Sequence, residues 1–271
     1  MDTIQAYLRT NGMIGIRNYV LVLSLVHCSN STANKIAIQC DVPALTIDTG
    51  CGEFREDADR TNLGLILAGQ HPNVYGVLLV SLGCQWIDPA YIGEEIARSG
   101  TKVAHLCIQD ENGVENTVRK GVEIVHRMLV ESRAMERTAC PVSKLRLGVY
   151  CGGSDWSSSL AANAVVGECA DLFAERGVGF ASSPIRGMSG YERHLVELAA
   201  TREIGERILE ISDTYRNEIL SATGASISDV NPTPGNKAHG ITTLCEKAIS
   251  NLKLCGSRTP LNGILPIGAP I

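Results

Sequence analysis

The chain has 271 residues, of which 44% are hydrophobic and 20% are charged, and its net charge is −5. This length allows one large domain or two small ones, and the composition is ordinary for a globular fold. The acidic balance without a basic run excludes a nucleic-acid-binding surface. The longest apolar run near the start, residues 19–26, is too short to span a bilayer. We therefore expect a cytoplasmic protein without membrane or nucleic-acid partners.

Short β-branched runs alternate with helical patterns along the chain. The predicted strands are residues 19–26, 44–48, 74–82, 102–108, 145–150 and 178–181. Apolar residues that recur every 3.6 positions predict helices at residues 31–39, 57–70, 89–99, 114–132, 157–176 and 190–222. Several strands are apolar throughout, which is typical of strands buried on both faces. The pattern predicts an α/β fold with a mostly parallel sheet and helices on both faces.

A polar segment without periodicity, residues 134–144 (AMERTACPVSK), contains a proline and is interpreted as a linker. It divides the chain into two α/β lobes, residues 1–133 and residues 145–271. The last residues, 259–271, have the pattern of a turn that enters another strand and then stops. We therefore expect the second lobe to be shortened at its C-terminus.

Three loops that follow predicted strands each join a cysteine to a glycine. In an open parallel sheet, ligands bind at the carboxyl ends of the strands. Three thiolates at one point can hold an iron–sulfur cluster whose open iron acts as a Lewis acid. Cysteine also packs as a small buried hydrophobe, so the spacing leaves both interpretations open. The candidate metal ligands are Cys51, Cys84 and Cys151.

Polar residues in the loops are candidates for acid–base chemistry and for binding an anionic substrate. The loop 231–240 is stiffened by two prolines, and its alternative interpretation is a solvated connection. Ser154 and Asp155 are interpreted first as a helix N-cap, and an arginine such as Arg17 is more often part of a structural ion pair. The candidate bases are His27, Lys237 and His239. The candidate substrate-binding residues are Arg17, Asn18, Ser29, Asn30, Ser154, Asp155 and Asn236.

A series of short motifs extends in order over nearly the whole chain. They are GMIGIRNYVLV (12–22), HCSN (27–30), GCG (50–52), RT (60–61), HPN (71–73), GCQ (83–85), CGGSD (151–155), NAVVG (163–167), PTPGNK (232–237) and TTLCEK (242–247). Together they resemble the altronate/galactarate dehydratase family, which includes the large subunit of sulfolactate sulfo-lyase. No single motif decides the resemblance, and the common order carries it.

The resemblance implies a Rossmann-like variant fold and an iron-dependent hydro-lyase that acts on sugar acids. The expected reaction converts a 2,3-dihydroxy carboxylate to a 2-keto-3-deoxy acid, with Fe²⁺ or a cluster with one open iron as the Lewis acid. It also implies a small β-clip (SAF-like) partner subunit and a chain shortened relative to the family, and we expect a homo-oligomer.

Three alternatives stay open: a sulfolactate-type carbon–sulfur lyase, a non-catalytic binding or assembly subunit, and a flavodoxin-like nucleotide binder. The third lacks a phosphate-binding loop in the sequence.

Overall fold

The computed structural model describes residues 3–183, 185–266 and 269, and the fold is mixed α/β. Its contacts divide the chain into two compact units, Thr3–Pro141 (unit 1) and Val142–Ile271 (unit 2). The strands of unit 1 are β1 (Thr3–Leu8), β2 (Ile14–Gly15), β3 (Tyr19–Ser24), β4 (Ala44–Leu45), β5 (Val74–Ser81), β6 (Lys102–Cys107) and β7 (Thr138–Pro141). Its helices are α1 (Asn30–Cys40), α2 (Arg55–Gln70), α3 (Pro89–Ala97) and α4 (Val114–Ala134).

A four-stranded parallel sheet with the order β4-β3-β5-β6 forms the centre of unit 1. Side chains of successive strand residues point to opposite faces. Val22 belongs to the core cluster that includes residues of α1 and α4, whereas Leu23 belongs to the cluster with residues of α2 and α3. Leu23, Leu78 and Leu79 are 0% exposed, and burying one leucine stabilises the fold by about 1.5–3 kcal/mol. The predicted parallel sheet with helices on both faces is confirmed in unit 1.

A second sheet of unit 1 is antiparallel, with the order β2-β1-β7, and the sequence analysis did not predict it. The segment 134–144, which was predicted as a linker, contributes one strand to this sheet, and the boundary between the two units falls within it, after Pro141. Ala134 ends α4, and Thr138–Pro141 pairs with β1 as β7, where Cys140 is 4% exposed. The sequence does not predict β7, because the strand is short and mostly exposed and its partner β1 lies more than a hundred residues earlier.

Unit 2 contains a two-stranded parallel sheet of β8 (Arg146–Tyr150) and β9 (Gly179–Ser183). A π-helical turn, Ser158–Ala162, leads into α5 (Asn163–Ala174), which connects the two strands. The other helices are α6 (Glu192–Leu198), α7 (Arg202–Thr223), α8 (Ile227–Val230), α9 (Pro234–Ala238) and α10 (Leu244–Leu252). A small apolar core consists of Met188, Leu195, Ile208 and Leu252. No helix that the structure describes is long and apolar enough to cross a membrane.

The predicted helix at residues 190–222 is interrupted at residues 199–201, where it divides into α6 and α7. Thr201 is the N-cap of α7, and its hydroxyl accepts a hydrogen bond from the Ile204 backbone. The Ala200 N–H instead donates to the Leu261 carbonyl oxygen at 2.9 Å. The helical period continues across the break, but this cap and the contact with a distant segment end the first helix.

Asp171 on α5 holds the segment that follows α10. Its side chain is almost fully buried and accepts hydrogen bonds from the backbone N–H groups of residues 257–259 at 2.9–3.2 Å. Burial opposes ionisation of this carboxyl group, but these donors outweigh it, so the pKa of Asp171 lies below its ordinary value. The carboxylate thus accepts the hydrogen bonds of backbone N–H groups that lie outside any helix or strand.

Candidate functional site

The carboxyl ends of β4, β3 and β5 lie at one edge of the parallel sheet in unit 1. β3 lies between β4 and β5, so the chain runs to opposite sides of β3, and ligands of open α/β sheets bind at such a switch point. The Trp86 N–H donates to the Gly50 carbonyl oxygen at 2.9 Å, which joins the loop of Cys51 to that of Cys84. Both thiols are exposed. The structure therefore brings two of the three candidate cysteine loops together.

Glycine is favoured at two positions of these loops. Gly50 has φ +99°, and a Cβ there would lie 2.5 Å from the Leu25 carbonyl oxygen. Gly83 has φ +120°, and its Cβ would lie 2.2 Å from Gln109 Oε1. A positive φ of this size favours glycine at both positions, and at Gly50 the approach to backbone atoms requires it as well. These glycines fix the positions from which Cys51 and Cys84 extend.

His27 follows β3 at the same edge. Its Nδ1 lies 4.0 Å from Asp48 Oδ1, and both side chains are largely exposed. An exposed pair at this distance contributes little to holding the ring. His27 is therefore accessible at the carboxyl edge but is not fixed there by this contact.

Ser29 and Asn30, which were predicted to bind substrate, both form hydrogen bonds with backbone groups of the protein. Ser29 is 0% exposed, and its hydroxyl lies 2.9 Å from the Val26 carbonyl oxygen and 3.0 Å from that of Val80. Asn30 Nδ2 donates to the Ile47 carbonyl oxygen at 2.8 Å, and its Oδ1 accepts from the Ile47 N–H at 3.4 Å. Their polar atoms are thus used within the protein, where they position the loops.

Arg17 and Asn18 precede β3 and lie at the opposite edge of the sheet. Asn18 Nδ2 donates to the Ser132 carbonyl oxygen at 2.7 Å, and Asn73 Oδ1 accepts from the Arg17 N–H at 3.0 Å. The intervening strand has six residues, a length of about 20 Å. The structure therefore does not bring these two residues to His27, Cys51 and Cys84, contrary to the sequence-based expectation.

In unit 2, the loop after β8 meets the loop 231–240. Asn236 Nδ2 donates to the Ser154 carbonyl oxygen at 2.8 Å, and the Trp156 N–H donates to the His239 carbonyl oxygen at 3.0 Å. We call residues 151–158 and 231–240 together the unit 2 cluster. It contains the predicted Ser154, Asp155, Asn236, Lys237 and His239, which are up to 85 positions apart in the sequence.

Asp155 caps the helical turn that follows it. Its Oδ1 accepts from the Ser157 hydroxyl at 2.7 Å and from the Ser158 N–H at 2.8 Å. These two donors, the hydroxyl first, lower the pKa of Asp155, and the charge of His239 adds to the effect. Asp155 is therefore an anion near neutral pH, and its first role is the helix cap.

His239 is held in one tautomer. Its Nδ1 lies 2.8 Å from the Gly235 carbonyl oxygen, which can only accept a hydrogen bond. The neutral ring therefore carries its proton on Nδ1 and leaves the lone pair on Nε2, where it can accept a proton. Lys237 is exposed and has no side-chain partner in the described part of the chain. Of the two candidate bases in this cluster, only His239 is oriented.

Two functional candidates at the carboxyl edge of unit 1 were missed by the sequence analysis. Glu53 directly follows the GCG motif; its Oε1 accepts from the Thr61 hydroxyl at 2.9 Å, and its buried Oε2 has no partner among the described residues. His105 Nε2 lies 2.8 Å from the Ser81 hydroxyl, and burial lowers the pKa of His105. The position beside GCG could have indicated Glu53, whereas no signal marks His105 within its strand.

Lys247 is the cation that binds the loop 231–240, and it was also missed. Its Nζ donates to Asn231 Oδ1 at 2.9 Å and to Asn236 Oδ1 at 3.0 Å. The Asn236 side chain, which also donates to Ser154, is therefore occupied at both ends and positions the loop. The predicted role of Asn236 in substrate binding stays a prediction. The sequence shows a lysine near the start of this helix, but it does not predict that the side chain points toward Asn231 and Asn236.

The three candidate metal ligands are divided between the units, since Cys151 lies in unit 2. Its Sγ lies 3.0 Å from the Gly153 carbonyl oxygen and accepts from Asn163 Nδ2 at 3.7 Å. Within either unit, no group of three His, Cys, Asp or Glu side chains among the described residues could hold a metal ion. The residues of one unit therefore do not fit a complete three-cysteine iron site.

Family models match both units. Residues 6–133 match the model described as D-galactarate dehydratase/Altronate hydrolase, second domain, and residues 142–271 match D-galactarate/Altronate dehydratase, C-terminal. The chain belongs to the altronate/galactarate dehydratase family. The resemblance of the sequence motifs is thereby confirmed, and the two matched ranges account for nearly the whole chain.

Individual relatives in this family are named as lyases. The chain is 31% identical over 264 residues to the (2R)-sulfolactate sulfo-lyase subunit beta of Chromohalobacter salexigens, covering 97% of the chain and 67% of that protein. It is 28% identical over 277 residues to the altronate dehydratase of Bacillus subtilis, covering 98% of the chain and 55% of the relative. It is 29% identical over 267 residues to the altronate dehydratase of Escherichia coli, covering 94% of the chain and 53% of the relative. The chain thus spans about half the length of these altronate dehydratases, and its expected enzyme class is confirmed at the family level.

Proposed function

We propose that this chain catalyses the dehydration of a sugar acid, a 2,3-dihydroxy carboxylate, to a 2-keto-3-deoxy acid. Family membership supports a hydro-lyase, since relatives are named altronate dehydratase and galactarate dehydratase. The observation that carries the proposal is the fixed tautomer of His239, whose Nε2 is free of the ring proton. A dehydratase of this kind needs a neutral base near pH 7 that can remove a proton from carbon.

His239 Nε2 is the proposed base. It takes the proton from the carbon next to the carboxylate, and the hydroxyl group leaves from the neighbouring carbon. Together the two groups account for one water, and the remaining enol tautomerises to the 2-keto acid. The hydrogen bond from Nδ1 to the Gly235 carbonyl oxygen keeps the ring oriented while Nε2 gains the proton.

The substrate carboxylate would bind at Lys237 and at the glycines after Cys151. Lys237 precedes His239 by two residues and is exposed. Gly152 and Gly153 are exposed, and a Cβ built at either would meet nothing within 4 Å, so there is room for a ligand beside the backbone there. This arrangement provides a cation and backbone donors without using Asn236 or Asp155, which hold the loops.

Iron remains a proposal, and no step above depends on it. Cys51 and Cys84 offer two exposed thiols on joined loops, and thiolates suit iron. If bound, iron would supply Lewis acidity toward the leaving hydroxyl group. Iron and acid-labile sulfide should be measured after anaerobic purification of the wild type, Cys51→Ser and Cys84→Ser. The exposed Cys169 provides the control variant Cys169→Ser, and equal iron content in all four proteins would exclude the two thiols as ligands.

The test of the base compares His239→Gln with Lys237→Gln, using release of 2-keto acid from D-altronate and from D-galactarate. Loss of a positioned general base costs about 10²–10⁴-fold in kcat, which is the expected result for His239→Gln. Lys237→Gln should mainly raise KM, because it removes a binding cation but leaves the base. A loss below tenfold in kcat for His239→Gln would exclude His239 as the base.

A second candidate reaction is the loss of sulfite from a sulfolactate. It is favoured by the relative named (2R)-sulfolactate sulfo-lyase subunit beta. The same name, a subunit beta, supports the proposal of a partner subunit, which the sequence resemblance leads us to propose is small and of the β-clip type. Sulfite and 2-keto acid should be assayed in parallel, with and without the candidate small subunit. A chain that releases neither product under both conditions would favour a non-catalytic binding or assembly role.

A further inference from the structure

Three arginines lie close together at the amino edge of the parallel sheet. Arg9 Nη2 donates to the Arg17 carbonyl oxygen at 3.2 Å, and Arg137 Nη2 donates to the Ile16 carbonyl oxygen at 3.2 Å. The guanidinium groups of Arg9 and Arg137 both lie against the Tyr7 ring, at 5.7 and 5.1 Å from its centroid. We call Arg9, Arg17 and Arg137 the arginine cluster.

The arginine cluster has no acidic partner in the described part of the chain. Arg258 and Arg216 pair with carboxylates, but no ion pair within 4.0 Å involves Arg9, Arg17 or Arg137. Their side-chain hydrogen bonds go to backbone carbonyl oxygens, including that from Arg9 Nε to Pro72 at 2.7 Å. Carbonyl oxygens satisfy the N–H groups but do not neutralise the charge. Three uncompensated positive charges are therefore concentrated in a chain whose net charge is −5.

A small cavity of about 90 Å³ adjoins the arginine cluster, and Arg9 is part of its wall. His71 also lines it; His71 Nδ1 accepts from the Asn73 N–H at 3.1 Å, which leaves Nε2 as the donor of the neutral ring. Thr10 and Asn11 add polar side chains, and no Asp or Glu belongs to the described lining. The wall thus offers hydrogen-bond donors and a positive charge without an opposing carboxylate.

We propose that the arginine cluster and this cavity bind the oxyanion group of a small molecule, a carboxylate or a phosphate. The planar guanidinium group matches two oxygens of either anion, and several of its N–H donors here are not used within the protein. Arg17, Pro72 and Thr101 precede β3, β5 and β6, so this site lies at the amino edge of the sheet. It is separate from the carboxyl edge, where Cys51 and Cys84 lie, and it goes beyond the proposed dehydration.

The test is the titration of the whole chain with inorganic phosphate and, separately, with acetate, which is not a substrate of the proposed reaction, followed by calorimetry. Ionic strength is held constant with potassium chloride, because exposed charges are screened by salt. The double variant Arg17→Gln/Arg137→Gln should weaken anion binding by at least about tenfold, since each removes a charge-assisted donor set. Both residues are exposed, so the variant should fold, and near-ultraviolet circular dichroism checks this. Arg119→Gln on α4, whose partner is Glu123, is the matched control.

The outcomes distinguish a phosphate ligand from a carboxylate ligand, and they test anion binding separately from the proposed dehydration. Tighter binding of phosphate supports a phosphorylated ligand, and tighter binding of acetate supports a carboxylate ligand. Failure of both anions to bind the wild type at millimolar concentration, or equal affinity in the double variant, would overturn the site. His239→Gln should bind the anion with wild-type affinity, so anion binding is measured independently of the reaction. Arg9→Lys, which keeps the charge but loses the planar fork, should bind more weakly than the wild type.

Discussion

Substitution of Gly50 by alanine should destabilise the loop that carries Cys51. The residue has φ +99°, and a side chain in the left-handed region costs roughly 1–2 kcal/mol. The new Cβ would also lie 2.5 Å from the Leu25 carbonyl oxygen and 2.7 Å from the Val26 Cα. Forcing an extra carbon into a packed region costs about 1–3 kcal/mol more. We therefore expect Gly50→Ala to lose roughly 2–5 kcal/mol of unfolding free energy in unit 1.

Gly52 provides a matched control two residues away. It has φ +73°, but its Cβ would meet nothing within 4 Å, so Gly52→Ala should show the roughly 1–2 kcal/mol backbone cost alone. Urea unfolding can be followed by Trp86 fluorescence in a Trp156→Phe background, because these are the two tryptophans of the chain, one in each unit. Equal losses for Gly50→Ala and Gly52→Ala would refute the reasoning, since the close contact would then contribute nothing.

Three further substitutions test contacts that position the loops and the core. Asp171→Asn should cost about 2–4 kcal/mol, because an amide oxygen replaces a buried carboxylate that accepts from residues 257–259. The folded pKa of Asp171 is depressed, so this stabilisation is present above pH 4 or so and should disappear as the pH falls through the folded value. Gly167→Ala should cost about 3 kcal/mol or more, since its Cβ would lie 1.8 Å from a backbone carbonyl oxygen. Asn30→Ala removes both hydrogen bonds to Ile47 and should cost about 1–3 kcal/mol, measured by urea unfolding.

The variants at Asp171 and Gly167 each have a control at a position with no comparable buried contact. Glu168→Gln, on the same helix as Asp171, removes an exposed ion pair with Arg258 and should change the unfolding free energy little. Gly64→Ala is the control for Gly167, because a Cβ at Gly64 meets nothing within 4 Å. A pH-independent difference between wild type and Asp171→Asn, down to pH 2, would contradict the role given to the ionised carboxylate.

The strands that a local pattern can show were predicted well. β5 was expected at residues 74–82 and spans Val74–Ser81, because its apolar run is continuous and ends before a glycine. β1 and β7 were missed, because each is short and partly exposed and is stabilised by a partner far away in the sequence. The break between α6 and α7 was missed for the same reason, since a distant backbone carbonyl oxygen decides it. Local periodicity therefore determines the central elements, and long-range pairing determines the rest.

The candidate site was predicted at the level of loops more than of side chains. The order of strands brings the loops of Cys51 and Cys84 to one edge, as expected for a parallel sheet. The sequence could not show that Ser29 points inward, or that both polar atoms of Asn30 are used by the backbone. A side-chain direction depends on a few degrees of backbone rotation, which residue type alone does not determine. His239 was named as a base, but its tautomer follows only from the Gly235 carbonyl oxygen.

The pairing of β1 with β7 affects when unit 1 can complete its folding during synthesis. Thr3 lies opposite Pro141 in the ladder, so the first described strand of the unit is completed by its last one. During synthesis, β1 must wait until residues 138–141 have left the ribosome, and one of its edges stays without this partner meanwhile. Contacts between such distant residues form slowly, because a long loop must close before they are made. We therefore expect the ladder of β1 and β7 to form late in the folding of the unit.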